Sequence, residues 1–505
     1  MDNKNYICIH GHFYQPPREN PWTDEIEKQE SASPFHDWNE RIYQECYKPN
    51  SEAIIIDDKG NVLKRVNNYQ YMNFNFGPTL LNWIKDKHPK VFFKILEADE
   101  KSLLEHKGHG NAIAQVYNHI IMPLANRNDK ITQVKWGLKY FKFYFARDSE
   151  GIWLSETACD MKTLEVLADE GVKYTILDPS QAEKIKSIKT ADGWEDVSGT
   201  TINPKVPYRC FTDEKKEKYI DIFFYDGPFA RSIAFDDIIY SAQKMMERIE
   251  LITIPDLKND QLISAATDGE TFGHHKNFTD RTLAYLLTEL ANQEGYKVVN
   301  FGEYLAKHKP KNEVIIKKGK NDEGTSWSCI HGTSRWKEDC GCHTGGEPGW
   351  NQKWRTPLRN ALDILRDNLI KIFETKGGEY FKDVWAARND YINVLLDKSD
   401  DTSNEFFNHH SGRDLNEKEK NICMKLLEMQ KFAMFMYTSC GWFFSDISGI
   451  ETQKILEYAR RAIEISQEIT GDNNIEKEFL NELEKAKSNR PEFGDGKKIY
   501  FKINI

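Results

Sequence analysis

Short apolar runs alternate with 3- and 4-residue apolar spacings through the first three hundred residues. Runs at 6–10 (YICIH), 151–154 (GIWL), 173–177 (KYTIL), 219–225 (YIDIFFY), 262–266 (LISAA) and 297–300 predict strands. Between them, 77–87 carries Leu80, Leu81 and Ile84 behind an early Pro78, and 133–145 carries Val134, Leu138, Phe141 and Phe145. Both predict helices, as do 163–170, 235–249 and 280–293. Strands alternating with helices point to an α/β fold, either a parallel barrel or a doubly wound sheet. Residues 18–76 are polar and aromatic with little periodicity, which predicts a long irregular insertion.

Past about residue 350 the pattern becomes helical throughout. Leu358, Leu362, Leu365, Leu369 and Ile372 recur at helical spacing, as do Ile422, Leu426, Met429, Ala433 and Met436, then Ile455, Ala459 and Ala462. This predicts an α-helical bundle packed on the α/β unit. The expected division is 1–310 and 311–505, with a segment rich in Gly, Trp and Cys at 325–355 joining them and the helices completing the cleft.

Composition narrows the picture. A net charge of −10 argues against nucleic acid as the main partner. No apolar run reaches the roughly 18 to 20 residues a membrane helix needs. The start of the chain lacks the features of an export signal, so a cytoplasmic protein with reduced thiols is expected. Aromatics make up 12% of the chain, including 12 Trp, which suits ligands with flat faces as well as a large core.

Candidate chemistry sits past two strand ends. Glu156 follows GIWLS, and Asp268 and Glu270 flank Gly269 after LISAAT. In parallel barrels the carboxyl ends of the strands share one mouth, where the reaction takes place. A carboxyl there is a candidate acid, nucleophile or ligand. On extended backbone Asp268 and Glu270 share a face, so the spacing leaves the choice between them open. His10 and His12 alternate on a strand and point the same way, with Gln15 in the loop beyond. Two histidines are too few for zinc, so hydrogen bonds to substrate hydroxyls are favoured. His274 is placed to contact substrate or Glu270; Arg209 and Arg231 are near strand ends, where a surface or structural salt bridge is favoured over the alternative of keeping Glu156 ionised. Trp327, Trp336, Trp350 and Trp354 are candidate stacking platforms, and Trp442, Phe443 and Phe444 a candidate aromatic edge. Cys329, His331, Cys340, Cys342 and His343 cluster in sequence. Their C-x-C departs from the usual C-x2-C zinc spacing, so a thiol cluster and a structural zinc site both stand.

The motifs HGHFYQP, GIWLSET and TDGETFGHH together resemble glycoside hydrolase family 57 over most of the chain. HGHFYQPPREN, GNAIAQVYNHIIMPL, YDGPFARSIAF and YTSCGWFFSDISGIE look like a bacterial and archaeal branch of mostly unassigned specificity, whose longer members carry a further C-terminal domain of unknown function. The first motif departs from the family by placing Phe13-Tyr14 between His12 and Gln15, and GEPGWNQKW is loosely like the last, Trp-bearing motif. The resemblance implies a seven-stranded (β/α) barrel of parallel strands with a C-terminal α-helical bundle, and a retaining enzyme on α-glucan or malto-oligosaccharide. It implies Glu156 as nucleophile and Asp268 as general acid/base. Substrate contacts are expected from His10, His12, Gln15, Glu270, His274, Arg231, Trp350, Trp354 and Trp442. No cofactor or catalytic metal is expected, and the partner is a polysaccharide or oligosaccharide substrate. The competing expectations are a metal-dependent deacetylase using His10, His12 and Asp268, and a glucan-binding protein without turnover. The deacetylases of similar barrels carry an H-x3-H pair, which this chain lacks.

Overall fold

The computed structural model describes residues 4–190, 193–255 and 260–503. Its central element is the strand Asn5–Phe13, buried almost throughout. It pairs in parallel with Gln261–Asp268 along one edge. On the other edge it meets Tyr296–Val298 near its start and Asn73–Phe76 near its end, again in parallel. Strands covered on both faces read as continuous apolar runs, which is why LISAA and YICI stand out in the sequence.

A second sheet carries Ala114–Gln115, Gly151–Trp153, Tyr174–Leu177 and Tyr219–Phe224 side by side in parallel. Beyond them it turns antiparallel. Tyr208–Phe211 runs against Tyr219–Phe224, and Asn312–Ile316 runs against Ala182–Ser187. The second sheet is therefore mixed, where the sequence predicted parallel strands alone. The chain between Tyr174–Leu177 and Tyr219–Phe224 returns largely as ribbon, and antiparallel pairs need no crossover helix. The two sheets touch at a parallel bridge between Phe74 and Ala112 and through Asp226 N–H donating to the Ser264 carbonyl at 2.9 Å.

Several predicted helices form close to their expected bounds. Pro78–Lys87 begins after Gly77, with Pro at its first position. Arg127–Phe145 is capped by the Asn126 side chain accepting from Asp129 N–H. The stretch 235–249 is instead broken into Gly227–Phe235, a 3₁₀ turn at Asp237–Tyr240 and Ala242–Ile252, because Asp236 and Ser241 take extended backbone. Nor is 18–76 irregular throughout. It holds short helical turns, the hairpin Ala53–Ile56 with Val62–Val66, and the fully buried strand Asn73–Phe76.

The later half is helical as predicted, led by Arg355–Gly377, Glu417–Phe435, Ile450–Thr470 and Asn474–Leu483. Leu358, Leu362, Leu365 and Leu369 are all buried along one face. The apolar core runs unbroken from the strands into these helices. A buried ion pair ties the helix Arg127–Phe145 to the helix Val384–Asp390 of the later half, with Arg388 Nη1 2.8 Å from Asp129 Oδ1.

Candidate active site

Glu156 stands on a sharp turn directly after Gly151–Trp153. It has φ 56° and ψ 23°, and Thr157 follows with φ 51°. Left-handed backbone at a residue with a β-carbon costs ~1–3 kcal/mol, so the surroundings must hold it. They do so through the connecting segment. Trp327 N–H donates to the Glu156 carbonyl at 3.1 Å, and Cys159 and Thr325 exchange backbone hydrogen bonds. The same segment grips the carboxylate, since Trp327 Nε1 donates to Glu156 Oε2 at 2.9 Å and the Ser328 hydroxyl donates to the same oxygen. The buried Arg335 guanidinium lies within electrostatic reach of Glu156. These groups stabilise a negative charge there.

Asp268 closes its strand opposite His12 in register. Its side chain is open to the cavity, yet protein surrounds it on the remaining sides. Loss of bulk hydration, with the Glu156 charge adding to it, raises its carboxyl to about 7. Gly269 follows because the Phe13 ring lies 2.3 Å from where a Cβ would sit. Glu270 is buried and accepts from Tyr14 N–H at 3.0 Å and the Tyr47 hydroxyl at 2.7 Å. Burial raises it to about 8 despite the Tyr47 bond, with Asp268 adding to the shift.

A cavity of about 510 Å³ opens over these strand ends. Of the residues singled out from sequence, His12, Gln15, Glu156, Asp268, Glu270 and His274 line it. A larger hollow of about 610 Å³, near Lys398 and Lys431, lacks both strand-end carboxyls.

Other predicted residues lie elsewhere. His10 is fully buried beneath the site, with Nδ1 2.7 Å from Asn73 Oδ1, Nε2 3.1 Å from Asn75 Oδ1, and its ring stacked on Trp153. Burial lowers it to about 4. With both nitrogens engaged, His10 does not fit the ligand set of a metal-dependent deacetylase. Arg231 is exposed on Gly227–Phe235, and Arg209 pairs with Asp221 at 2.9 Å, so neither is the cation beside Glu156. Trp354 and Trp442 are core residues, and Trp350 lies outside the cavity.

Sequence reasoning missed several lining groups. Tyr14 stacks on His119 at 3.7 Å, while His119 links His12 to the Ser439 hydroxyl at 3.0 and 2.7 Å. Arg18, Trp38, His275 and Glu451 also face the cavity, as does the expected aromatic edge Phe443 and Phe444. Trp327 serves as a hydrogen-bond donor to Glu156. The signal for it was the Trp- and Cys-rich composition of its segment.

Comparison with known proteins fits this geometry. The profile described as "Glycosyl hydrolase family 57" matches residues 6–317, and one described as a domain of unknown function, DUF3536, matches 350–504. A 4-alpha-glucanotransferase of Thermococcus litoralis is 22% identical over 262 residues, 51% of this chain and 36% of its own length. An alpha-amylase of Pyrococcus furiosus is 22% identical over 306 residues, 57% of this chain and 39% of its own. The chain thus spans little more than a third of these curated relatives. Among solved structures, an exo-type maltose-forming amylase from Pyrococcus sp. ST04 superposes with a TM-score of 0.66 at 15% identity, covering 98% of this chain and 88% of that one. A branching enzyme from Pyrococcus horikoshii gives 0.54 at 14%, covering 96% and 92%. At such identities the superpositions speak for the fold, and the profile match over more than half the residues settles ancestry: the chain belongs to glycosyl hydrolase family 57.

Proposed function

We propose that this protein is a retaining carbohydrate-active enzyme on α-linked glucan or malto-oligosaccharide. One observation carries the reading: two carboxyls remote in sequence line one cavity, and one of them is raised to about 7 by loss of hydration and by the other's charge. That division of labour is what acid and nucleophile require.

The Glu156 carboxylate attacks the anomeric carbon while Asp268 gives its proton to the departing glycosidic oxygen. The C–O bond breaks and an ester to Glu156 forms. Asp268, now ionised, takes a proton from water or from a glucan hydroxyl. That oxygen attacks the anomeric carbon and frees Glu156. His12, Gln15, Glu270 and His274 bind or orient the sugar, and Tyr14, Phe443 and Phe444 offer ring faces. We read the parallel strands as a seven-stranded barrel within 1–310, with 311–505 completing the cleft. The bridge from Phe74 to Ala112 and the bond from Asp226 to Ser264 support closure.

Maltodextrin incubation, with product length, linkage and anomeric configuration read by chromatography and NMR, tests this. Products of retained α-configuration are expected, and none from Glu156→Ala. An inverted anomer, or near wild-type turnover by Glu156→Ala, refutes it.

A further inference from the structure

Cys329, His331, Cys340 and Cys342 come together although the first and last are 13 positions apart. One ligand-type atom from each lies within 4.8 Å of every other. Cys329 Sγ is 3.9 Å from Cys340 Sγ and 3.8 Å from Cys342 Sγ, and Cys342 Sγ is 3.5 Å from His331 Nδ1. A disulfide would bring two sulfurs to about 2.05 Å. A tetrahedral zinc ion, with Zn–S of ~2.3 Å and Zn–N of ~2.0–2.1 Å, sets its ligands apart by ~3.8 Å for S···S and ~3.5 Å for S···N. The three measured spacings match edges of that tetrahedron, and the remaining three lie within 4.8 Å.

We infer that these four side chains bind one structural zinc-class divalent cation.

Local backbone is shaped for it. Gly341, at φ 80°, lets the chain turn between the two sulfurs of Cys340 and Cys342. Backbone N–H groups of His331 and Arg335 point at Cys329 Sγ, and that of Cys342 at Cys340 Sγ. Charge supports the assignment independently. Binding releases three thiol protons to solvent and leaves a centre of net charge −1, from three thiolates, a neutral imidazole and a dication. Two buried guanidiniums, Arg335 and Arg355, lie within electrostatic reach of the sulfurs. Arg355 donates to the Cys342 carbonyl at 2.7 Å, yet its Nε and Nη2 and the Nε of Arg335 have no hydrogen-bond partner. Buried N–H groups left unpaired are costly, and an anionic thiolate centre beside them offsets that cost.

The ion would brace the active site from behind. Ser328, which donates to Glu156, precedes Cys329 directly, and Arg335 donates to the Ser328 carbonyl at 3.0 Å and to the Phe443 carbonyl at 2.9 Å.

The full chain, purified under reducing conditions and supplied with Zn²⁺, should hold about one zinc per chain by mass spectrometry. Cys340→Ser with Cys342→Ser should hold none, and Cys423→Ser should match wild type. Should the double variant fail to fold, wild type loaded with Co²⁺ alone should show visible bands of tetrahedral thiolate–cobalt that added Zn²⁺ erases. Substoichiometric zinc with no such bands, an unchanged zinc content in a folded double variant, or a disulfide among the three cysteines in fresh protein would overturn the assignment. None of these readouts depends on glucan turnover, so the metal site and the proposed function fail separately.

Discussion

If Asp268 is the acid that protonates the leaving oxygen, it acts in its protonated form, and its carboxyl lies at about 7. Activity is then present below that value and lost as pH rises through it. About a tenth of the acid form remains one unit above, and kcat/KM falls about tenfold per further unit. Part of the shift comes from Glu156. At the ~5.5 Å of a retaining pair and an effective dielectric of ~20–40, carboxylate repulsion amounts to ~1.5–3 kcal/mol, or ~1–2 pKa units. Loss of hydration is the larger cause, which selects the lower end of that range. Glu156→Gln should therefore lower the Asp268 carboxyl by about one unit, read by carbon NMR of labelled protein against an Asp268→Asn blank. Glu270, at about 8, is the group with which Asp268 could be confused. The profile on maltodextrin should keep its basic limb in Glu270→Gln. In Asp268→Asn, assayed on α-glucosyl fluoride whose leaving group needs little protonation, the limb should vanish. A limb that persists in Asp268→Asn, or a wild-type profile flat to about pH 9, refutes the assignment of the acid.

Two further outcomes are expected. Phe444 is an exposed aromatic, 39% accessible, on the cavity wall. Phe444→Ala should raise KM for maltodextrin about 2- to 10-fold with kcat little changed, and steady-state kinetics showing KM unmoved would remove it as a sugar platform. Arg388 is buried, bonds Asp129 at 2.8 Å and Gln430 at 3.0 Å, and joins Val384–Asp390 to Arg127–Phe145. Arg388→Ala leaves Asp129 without its cation and should cost ~3–5 kcal/mol in denaturant unfolding. A loss below about 1 kcal/mol would show that water relieves the stranded carboxylate.

Periodicity located the helices whose faces pack on the core, because a buried stripe must repeat with the helix. It failed at Asn73–Phe76, where four residues alternate Asn and Phe. The phenylalanines enter the core, while the asparagines take the hydrogen bonds of His10 and His12. So short an alternation is lost among polar neighbours. The histidine pair shows a similar limit. Alternation put His10 and His12 on one side of a strand, but two residues of rise carry His10 beneath the cavity floor and leave His12 in it. The tryptophans were ambiguous for a physical reason, since an indole fills a core as readily as it stacks on a ligand. Only packing separated Trp354, in the core, from Trp327, whose N–H meets Glu156.

By itself the amino-acid order determined the strand–helix alternation, the helical second half and two carboxyls at or just past strand ends, because those features follow from local spacing. Which groups surround the carboxyls was decided in three dimensions. Arg335, Ser328 and Phe443 reach Glu156 or its cavity from far along the chain. Hydration and charge at a carboxyl depend on neighbours within a few ångströms, and sequence separation carries no record of those distances.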